Sequence, residues 1–380
     1  MKLAGPSPNL DLLRSVAVLL VVLDHLAATF GIAQRYPAFF AAGRFGVLLF
    51  FIHTSCVLMM SLERLALSGW CLFGAFYIRR IFRIYPLSTV VIALVLLARI
   101  PISSWTTAFH MPTIPAIAFN FLLCGNITVT KPVLGPLWSL PYEVEMYLAL
   151  PAIYLLLRRH YSLRRLVFVW GGAAILGMVQ LWGSRVGKFG IGRLDVAEFA
   201  PCFITGVVAY FLTLKGSRYS LPRWLWPVVI VLVSLVYSVS ASLPIWSMYG
   251  ERALGWLACA IVGLCMIYCA EQSNRVVEAG AHCIAKYSYG LYLGQVPVMW
   301  FAFVRLNRFP LTVQWIVFAI LIFIVPVISY HLIEAPMTKS GVSLTRFLTS
   351  PAGRQSTIDR AEERSPDNVG GMAAASRLAS

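Results

Sequence analysis

The chain has 380 residues, of which 59% are hydrophobic and only 12% charged, and its mean hydropathy is +0.78. A soluble domain carries roughly 25% charged residues, so this composition excludes a soluble globular protein. The net charge of +16 does not indicate nucleic-acid binding, because the basic residues are scattered through loops and helix ends and accord better with anionic lipid headgroups.

Apolar runs long enough to cross ~30 Å of hydrocarbon recur along the chain. They predict an all-α integral membrane protein, a bundle of about ten transmembrane helices. An eleventh candidate, residues 113–124, is short and holds two prolines, which favours a re-entrant or interfacial segment. The predicted spans lie near residues 10–30, 45–62, 78–97, 141–157, 166–182, 197–214, 224–239, 253–270, 284–304 and 311–333.

Positive charges favour the cytoplasmic side of membrane proteins, and ten spans with the N-terminus inside place the dense basic clusters there. We therefore predict that both termini are cytoplasmic. Residues 342–380 are rich in Ser, Gly, Pro and charge, which predicts a disordered cytoplasmic tail after a transmembrane domain of residues 1–341. The clusters are Arg79, Arg80 and Arg83; Arg158, Arg159, Arg164 and Arg165; and Lys215, Arg218 and Arg223.

The first predicted helix contains ionisable residues in the stretch RSVAVLLVVLDHL. Arg14 and His25 are eleven residues apart, about three helical turns, so they share one face ~16 Å apart, and Asp24 points elsewhere. Such residues are costly in a membrane and favour a polar cleft inside the bundle. The alternative is that His25 reaches water at the outer interface and Arg14 extends to the inner headgroups.

Two further stretches carry charge into predicted helices. In IRRIFRIYP, Arg79, Arg80 and Arg83 are predicted at the cytoplasmic start of the third span, where they form a fork suited to phosphates or simply an anchor. In PLWSLPYEVEMYLALP, Glu143 is predicted in the first turn of the fourth span, where the helix dipole alone could explain it. The eight cysteines show no CxxC spacing and predict neither a disulfide framework nor a metal site.

Five motifs in chain order resemble those of the acyltransferase 3 family of bacterial membrane O-acyltransferases, especially those that modify exopolysaccharide and other surface glycans. The likeness covers roughly residues 9–341. The first helix carries an arginine, ten residues and a histidine after a Leu-Asp opening. The matching residues are Leu10, Asp11, Arg14 and His25; Arg79, Arg80, Arg83 and Pro86; Trp138, Ser139, Leu140 and Glu143; Ser288, Tyr289, Tyr292 and Leu293; and Glu334 and Pro336.

The resemblance implies an acyl-CoA-dependent O-acyltransferase of the bacterial inner (cytoplasmic) membrane that needs no metal. An acyl group, most simply acetyl, would move from acetyl-CoA to a sugar hydroxyl of a lipid-linked or exported polysaccharide. Other polysaccharide-assembly proteins are possible partners, and nucleic acid is not expected. His25 is predicted as general base and Glu143 as the carboxylate that orients it. Arg14, Arg79, Arg80 and Arg83 are predicted to bind CoA, and Asp11, Trp138, Ser139 and His53 to bind substrate.

Two positions depart from the family pattern. The chain reads FFIHTSCVLMM where the family commonly has Phe-Phe-x-x-Ser-Gly, which adds His53 as a second titratable candidate, and Gln295 replaces a frequent histidine. His53 could equally be satisfied by a neighbouring helix. A secondary transporter or glycan flippase, with polar residues lining a translocation path, is the main alternative to an enzyme. An inactive membrane scaffold is the weaker one.

Overall fold

The structure is a computed structural model, and it describes residues 7–106, 108–186, 195–215, 221–245 and 247–350. Within these ranges it forms helices and no β-strand, which confirms the all-α prediction. Short 3₁₀ helices span Gly135–Ser139 and Asp195–Glu198, and π-helical turns span Trp300–Arg305 and Tyr330–Glu334. The α-helices are α1 Pro8–Thr29, α2 Ile32–Arg35, α3 Ala38–Leu65, α4 Gly69–Leu97, α5 Ile114–Phe121, α6 Gly125–Thr128, α7 Leu140–Arg158, α8 Leu163–Val186, α9 Ala200–Lys215, α10 Leu225–Ala241, α11 Met248–Tyr268, α12 Arg275–Met299, α13 Leu311–Ser329 and α14 Ala335–Thr349.

Seven helical segments in the described residues are long and apolar enough to cross a membrane, so the chain is a membrane protein with several transmembrane helices. Two shorter apolar helices, α9 and α10, and the more polar α12 pack into the same bundle. The count of ten crossings stays a prediction. The seven segments are Pro8–Thr29, Ala38–Leu65, Gly69–Leu97, Gly135–Arg158, Leu163–Gly183, Tyr249–Tyr268 and Leu311–Thr349.

Helix α3 is the centre of the bundle and packs on α1, α9 and α10. In its most apolar window 78% of the residues are buried, against 11% for Leu311–Thr349, which leaves the latter to face lipid. Gly43 and Gly46 of α3 contact α1 near Asp24 and Ala17 respectively, so the two helices run antiparallel.

Helix α12 runs parallel to α1, because successive contacts join Asp11 to His282 and Arg14 to Ser288. We call the side of the bundle where α1 and α12 begin the first face and the opposite side the second face. Arg158, at the end of α7, donates to the backbone of Leu67 in the short connection between α3 and α4, which places this part of the basic clusters at the first face. Arg218 lies outside the described residues.

The start of α4 corrects one prediction. The helix begins at Gly69 rather than near residue 78, three residues after Ala66, which caps α3 in the left-handed conformation with a φ of 51°. Residues 69–77 are almost entirely apolar and continue the helix without a polar break. Arg80 therefore lies ~16 Å along α4 from its first residue rather than at a helix start.

Two other predicted segments can be located in the structure. Residues 113–124 form only the eight-residue helix α5 and its flanks, which confirms that this segment is too short to cross. The predicted domain boundary after residue 341 falls inside α14, which continues to Thr349 and packs on α4, where Gly341 contacts Phe82. The remainder of the predicted tail, residues 351–380, lies outside the described residues.

Candidate active site

A central cavity of about 720 Å³ lies among α1, α3, α4, α7 and α12. Its walls combine charged and hydroxyl-bearing side chains with apolar ones from α3, such as Phe50 and Leu58. Ligand sites usually have this mixture of an apolar wall and a few polar groups. The polar lining residues are Arg14, His53, Thr54, Arg80, Arg83, Ser139, Glu143, Tyr147, Ser288, Tyr289 and Tyr292.

A second cavity of about 870 Å³, the vestibule, leads from the first face toward the central cavity. It is lined by residues at the starts of α1 and α12, including Asp11, His282 and Lys286. The two cavities share four lining residues, which we call the neck: Arg14, His53, Val57 and Arg83. The vestibule and the central cavity therefore adjoin at a point bordered by two guanidinium groups.

Both arginines of the neck form hydrogen bonds with neighbouring elements, Arg14 with α12 and Arg83 with the last π-helical turn. Arg14 Nε donates to Ser288 Oγ over 2.5 Å. Arg83 Nη1 donates to Glu334 Oε2 over 2.7 Å, and the Glu334 side chain is 0% exposed. This ion pair gives a physical role to the Glu-x-Pro motif, for which the sequence predicted none.

Arg14 and Arg80 form no ion pair with any described residue, although both face the central cavity. Arg14 is bonded only to the neutral hydroxyl of Ser288, and Arg80 lies over the ring of Phe76 at 6.0 Å. Charges inside proteins are usually paired, because removing them from water is costly. The cavity is therefore suited to an anionic ligand.

The predicted fork of three arginines is not formed as expected. Arg80 and Arg83 line the central cavity, whereas Arg79 lines neither the cavity nor the vestibule. Arg79 instead lies near Arg346 of α14. On the helix, Arg79 and Arg80 flank Arg83 on opposite sides, at about 40° and about 60° respectively. The central cavity lies on the side of Arg80.

Glu143 lies in the central cavity, where Tyr147 one turn later donates a 2.5 Å hydrogen bond to its carboxylate. Its electrostatic neighbours include Arg14 and Arg80. None of its contacts in the described residues joins it to His25. The structure thus does not bring together the predicted base and its predicted carboxylate partner.

His25 lies beyond the central cavity, toward the second face, and lines neither cavity. Its ring stacks on Trp105 with the centroids 6.1 Å apart, and Gln295 of α12 interacts with its side chain. Its Nε2 lies 4.0 Å from the position that a Cβ on Gly135 would occupy. We call these four residues the His25 cluster. Asp24 points elsewhere, as predicted, and packs so closely on Gly43 of α3 that no side chain would fit there.

A pair of hydroxyl groups stands at the end of the cavity nearest the His25 cluster. Ser139 Oγ and Tyr292 OH are 2.7 Å apart, and Tyr292 OH also lies 2.8 Å from the Pro136 carbonyl oxygen, to which it can donate. Gln295 follows Tyr292 by one helical turn, so the His25 cluster begins ~4.5 Å farther along α12. We call Ser139, Tyr292 and Pro136 the barrier.

The other predicted substrate-binding residues are distributed over different cavities. Asp11 lines the vestibule and lies 2.9 Å from Nδ1 of His282. Trp138 lines a separate cavity of about 510 Å³ together with Tyr142. Among the described residues no group of three His, Cys, Asp or Glu side chains could hold a metal ion.

The comparisons with known proteins agree with the sequence motifs. The acyltransferase-domain profile of the acyltransferase 3 family matches residues 7–331, nearly the whole chain. No curated protein and no solved structure matches the chain. The family match, together with the long apolar helices, identifies the class of the protein as a membrane acyltransferase. The chain belongs to the acyltransferase 3 family.

Sequence reasoning missed several residues that complete the site. Tyr147 could have been found, since its spacing of four residues from Glu143 places both on one helix face. The pairing of Arg83 with Glu334 joins residues 251 positions apart, and spacing within a helix carries no signal for it. The same holds for the contact of His25 with Gln295.

Proposed function

We propose that this protein is an acyl-CoA-dependent O-acyltransferase that transfers an acyl group, most simply acetyl, to a sugar hydroxyl of a lipid-linked or exported polysaccharide. The single observation that carries the donor assignment is the pair of cavity arginines, Arg14 and Arg80, that form no ion pair in the described residues. CoA is an anion with several phosphates on a long, flexible arm. Such a donor supplies the negative charge that these guanidinium groups lack.

The proposed topology follows from the donor. CoA thioesters are made in the cytoplasm, so the first face, where the vestibule opens, is assigned to the cytoplasm of a bacterial inner membrane. The phosphates remain near the neck, and the pantetheine arm extends along α1 toward His25. The rise from Arg14 to His25 is ~16 Å, a distance that suits an extended arm. The acceptor then approaches from the second face, where other polysaccharide-assembly proteins could deliver it.

In the proposed chemistry, the acceptor hydroxyl oxygen attacks the thioester carbonyl carbon, and His25 accepts the hydroxyl proton. The carbon–sulfur bond then breaks, and the proton passes from His25 to the departing thiolate, which leaves as free CoA. Gln295, a neighbour of His25 on α12, is assigned the role of orienting the ring in place of a carboxylate. Glu143 is assigned to the donor cavity, where its charge partly offsets Arg14 and Arg80.

The test uses the purified protein in lipid nanodiscs with acetyl-CoA labelled in the acetyl group and a lipid-linked glycan fraction. We expect label in the glycan, sensitive to mild alkali as an ester should be, and one free CoA released per acetyl transferred. Label that reaches no glycan, together with movement of the glycan across vesicle membranes, would instead identify a flippase. Neither activity would leave an inactive scaffold and refute the proposal.

A further inference from the structure

The neck is bordered by one residue that the proposed chemistry does not use, His53. Its side chain is buried, with the residue only 5% exposed, yet it lines both the vestibule and the central cavity. No described residue forms a hydrogen bond with its ring. The ring nitrogens are not among the fully enclosed polar atoms that lack a partner, so they are open to the cavity and available to a ligand there.

The charges around His53 restrict what this ligand can be. Its electrostatic neighbours are Arg14 and Arg83, and no carboxylate in the described part of the chain pairs with the imidazole. Arg83 shares its charge with Glu334, whereas Arg14 is bonded only to a hydroxyl. The neck is thus bordered by the nitrogen-bearing side chains of Arg14 from α1, His53 from α3 and Arg83 from α4. These side chains favour binding of an oxyanion that accepts several hydrogen bonds.

We propose that the neck is a phosphate-binding site and that His53 donates a hydrogen bond to the phosphate nearest the pantetheine arm of the donor. This assignment rests on the proposed function and refines it. The phosphates are held at the neck, in the depth of the bundle, and Arg79 at the outer edge of α4 takes no part. The pantetheine arm and the acyl group then extend into the central cavity, which Arg80 also lines.

The experiment compares two ligands that differ by a single phosphate, pantetheine and 4′-phosphopantetheine. Their dissociation constants are measured by calorimetry on the full chain in nanodiscs, and their ratio is the gain due to the phosphate. For the unmodified protein we expect a gain of roughly tenfold or more, as for a charge-assisted hydrogen-bonded anion. In His53→Leu the gain should fall to about a third or less of that value, while pantetheine binding changes less than twofold.

Two further variants separate a ligand contact from a structural role. His53→Gln keeps an N–H donor of similar reach and should retain most of the gain. His160→Leu removes an exposed histidine that lines neither the vestibule nor the central cavity, and it should behave like the unmodified protein. An equal phosphate gain in His53→Leu and the unmodified protein would overturn the assignment of His53.

Lipid headgroups also carry phosphate, so the measurements are made in nanodiscs of phosphatidylcholine alone and with added phosphatidylglycerol. A gain that is independent of lipid supports the donor phosphate. A gain abolished by phosphatidylglycerol means that a headgroup occupies the neck and refutes the proposal. If the unmodified protein binds no CoA at all, the proposed donor itself is wrong, whereas CoA binding without a phosphate gain contradicts only the neck.

Discussion

The neck and the His25 cluster differ in the kind of side chain that surrounds them. The neck contains two guanidinium groups, each held by a hydrogen bond to a neighbouring helix. The His25 cluster consists of an aromatic ring, an amide and a glycine, and the adjacent carboxylate of Asp24 is directed at α3. Charge is thus concentrated where an anion would be recognised, and the surroundings of the proposed base are neutral. The comparison predicts that substitutions at the two places change different kinetic quantities.

The largest expected effect is at the His25 cluster. His25→Ala removes the proposed general base, a role that typically contributes a factor of about 100 to 10,000. We expect kcat for glycan acylation to fall by at least about a hundredfold, while CoA affinity is unchanged, because His25 lines neither cavity. Retention of more than half of the activity would show that His25 is not the base. His160→Ala serves as the control for loss of a histidine.

The next effect concerns neighbouring arginines on α4, which form a matched pair. Arg80→Ala should weaken CoA binding by roughly 10- to 100-fold, the loss expected for a charge-assisted contact. Arg79→Ala should leave the affinity within about twofold, since its side chain lines neither the vestibule nor the central cavity. Equal losses in the two variants would restore the predicted fork and contradict the observed geometry. The dissociation constant for CoA, measured directly, decides the matter.

A smaller change of opposite sign is expected for Glu143→Gln. The amide still accepts the hydrogen bond from Tyr147 but removes a negative charge beside Arg14 and Arg80. CoA should therefore bind more tightly, by about fivefold for an electrostatic change on the order of 1 kcal/mol. If Glu143 acts through His25 instead, kcat will fall about a hundredfold or more with unchanged CoA affinity. Measuring both quantities on one sample distinguishes the two roles.

The smallest effect on activity is expected for the contact between α14 and α4. A Cβ at Gly341 would lie 2.7 Å from Cβ of Phe82, so Gly341→Ala should destabilise the fold by about 1–3 kcal/mol through overpacking. Gly74→Ala is the control, because nothing lies within 4 Å of a Cβ there and alanine favours the helix. Thermal unfolding should separate the variants, while CoA affinity per folded molecule stays constant. Equal melting temperatures would show that α14 does not depend on this packing.

Much of the fold follows from patterns that operate along a single helix. The apolar runs predicted the helices, and the spacing of Arg14, Asp24 and His25 correctly predicted that Asp24 points away from His25. The start of α4 was missed because arginines were interpreted as a helix start, although the apolar residues before them extend the helix. Local pattern does not distinguish a charge at the membrane surface from one that faces a cavity within the bundle.

The site was harder to predict because its contacts join distant parts of the chain. Glu143 was predicted to orient His25, yet its observed neighbours are Tyr147 and the arginines of the central cavity. Whether Glu143 faces His25 or the central cavity depends on how α1 and α7 are rotated relative to each other. The spacing of residues within one helix does not determine that rotation. His53 was identified from its departure from the family pattern, and only the structure reveals its position at the neck.

The barrier has a consequence for the membrane as a whole. A water-filled passage lined by arginines and open to both sides would conduct small anions and dissipate the electrochemical gradient that a cell maintains. The hydrogen bonds among Ser139, Tyr292 and the Pro136 carbonyl occupy the point where the central cavity would otherwise continue toward the second face. The barrier thus separates the polar central cavity from the second face, and the thioester of a bound donor has to displace these hydroxyl groups to reach His25.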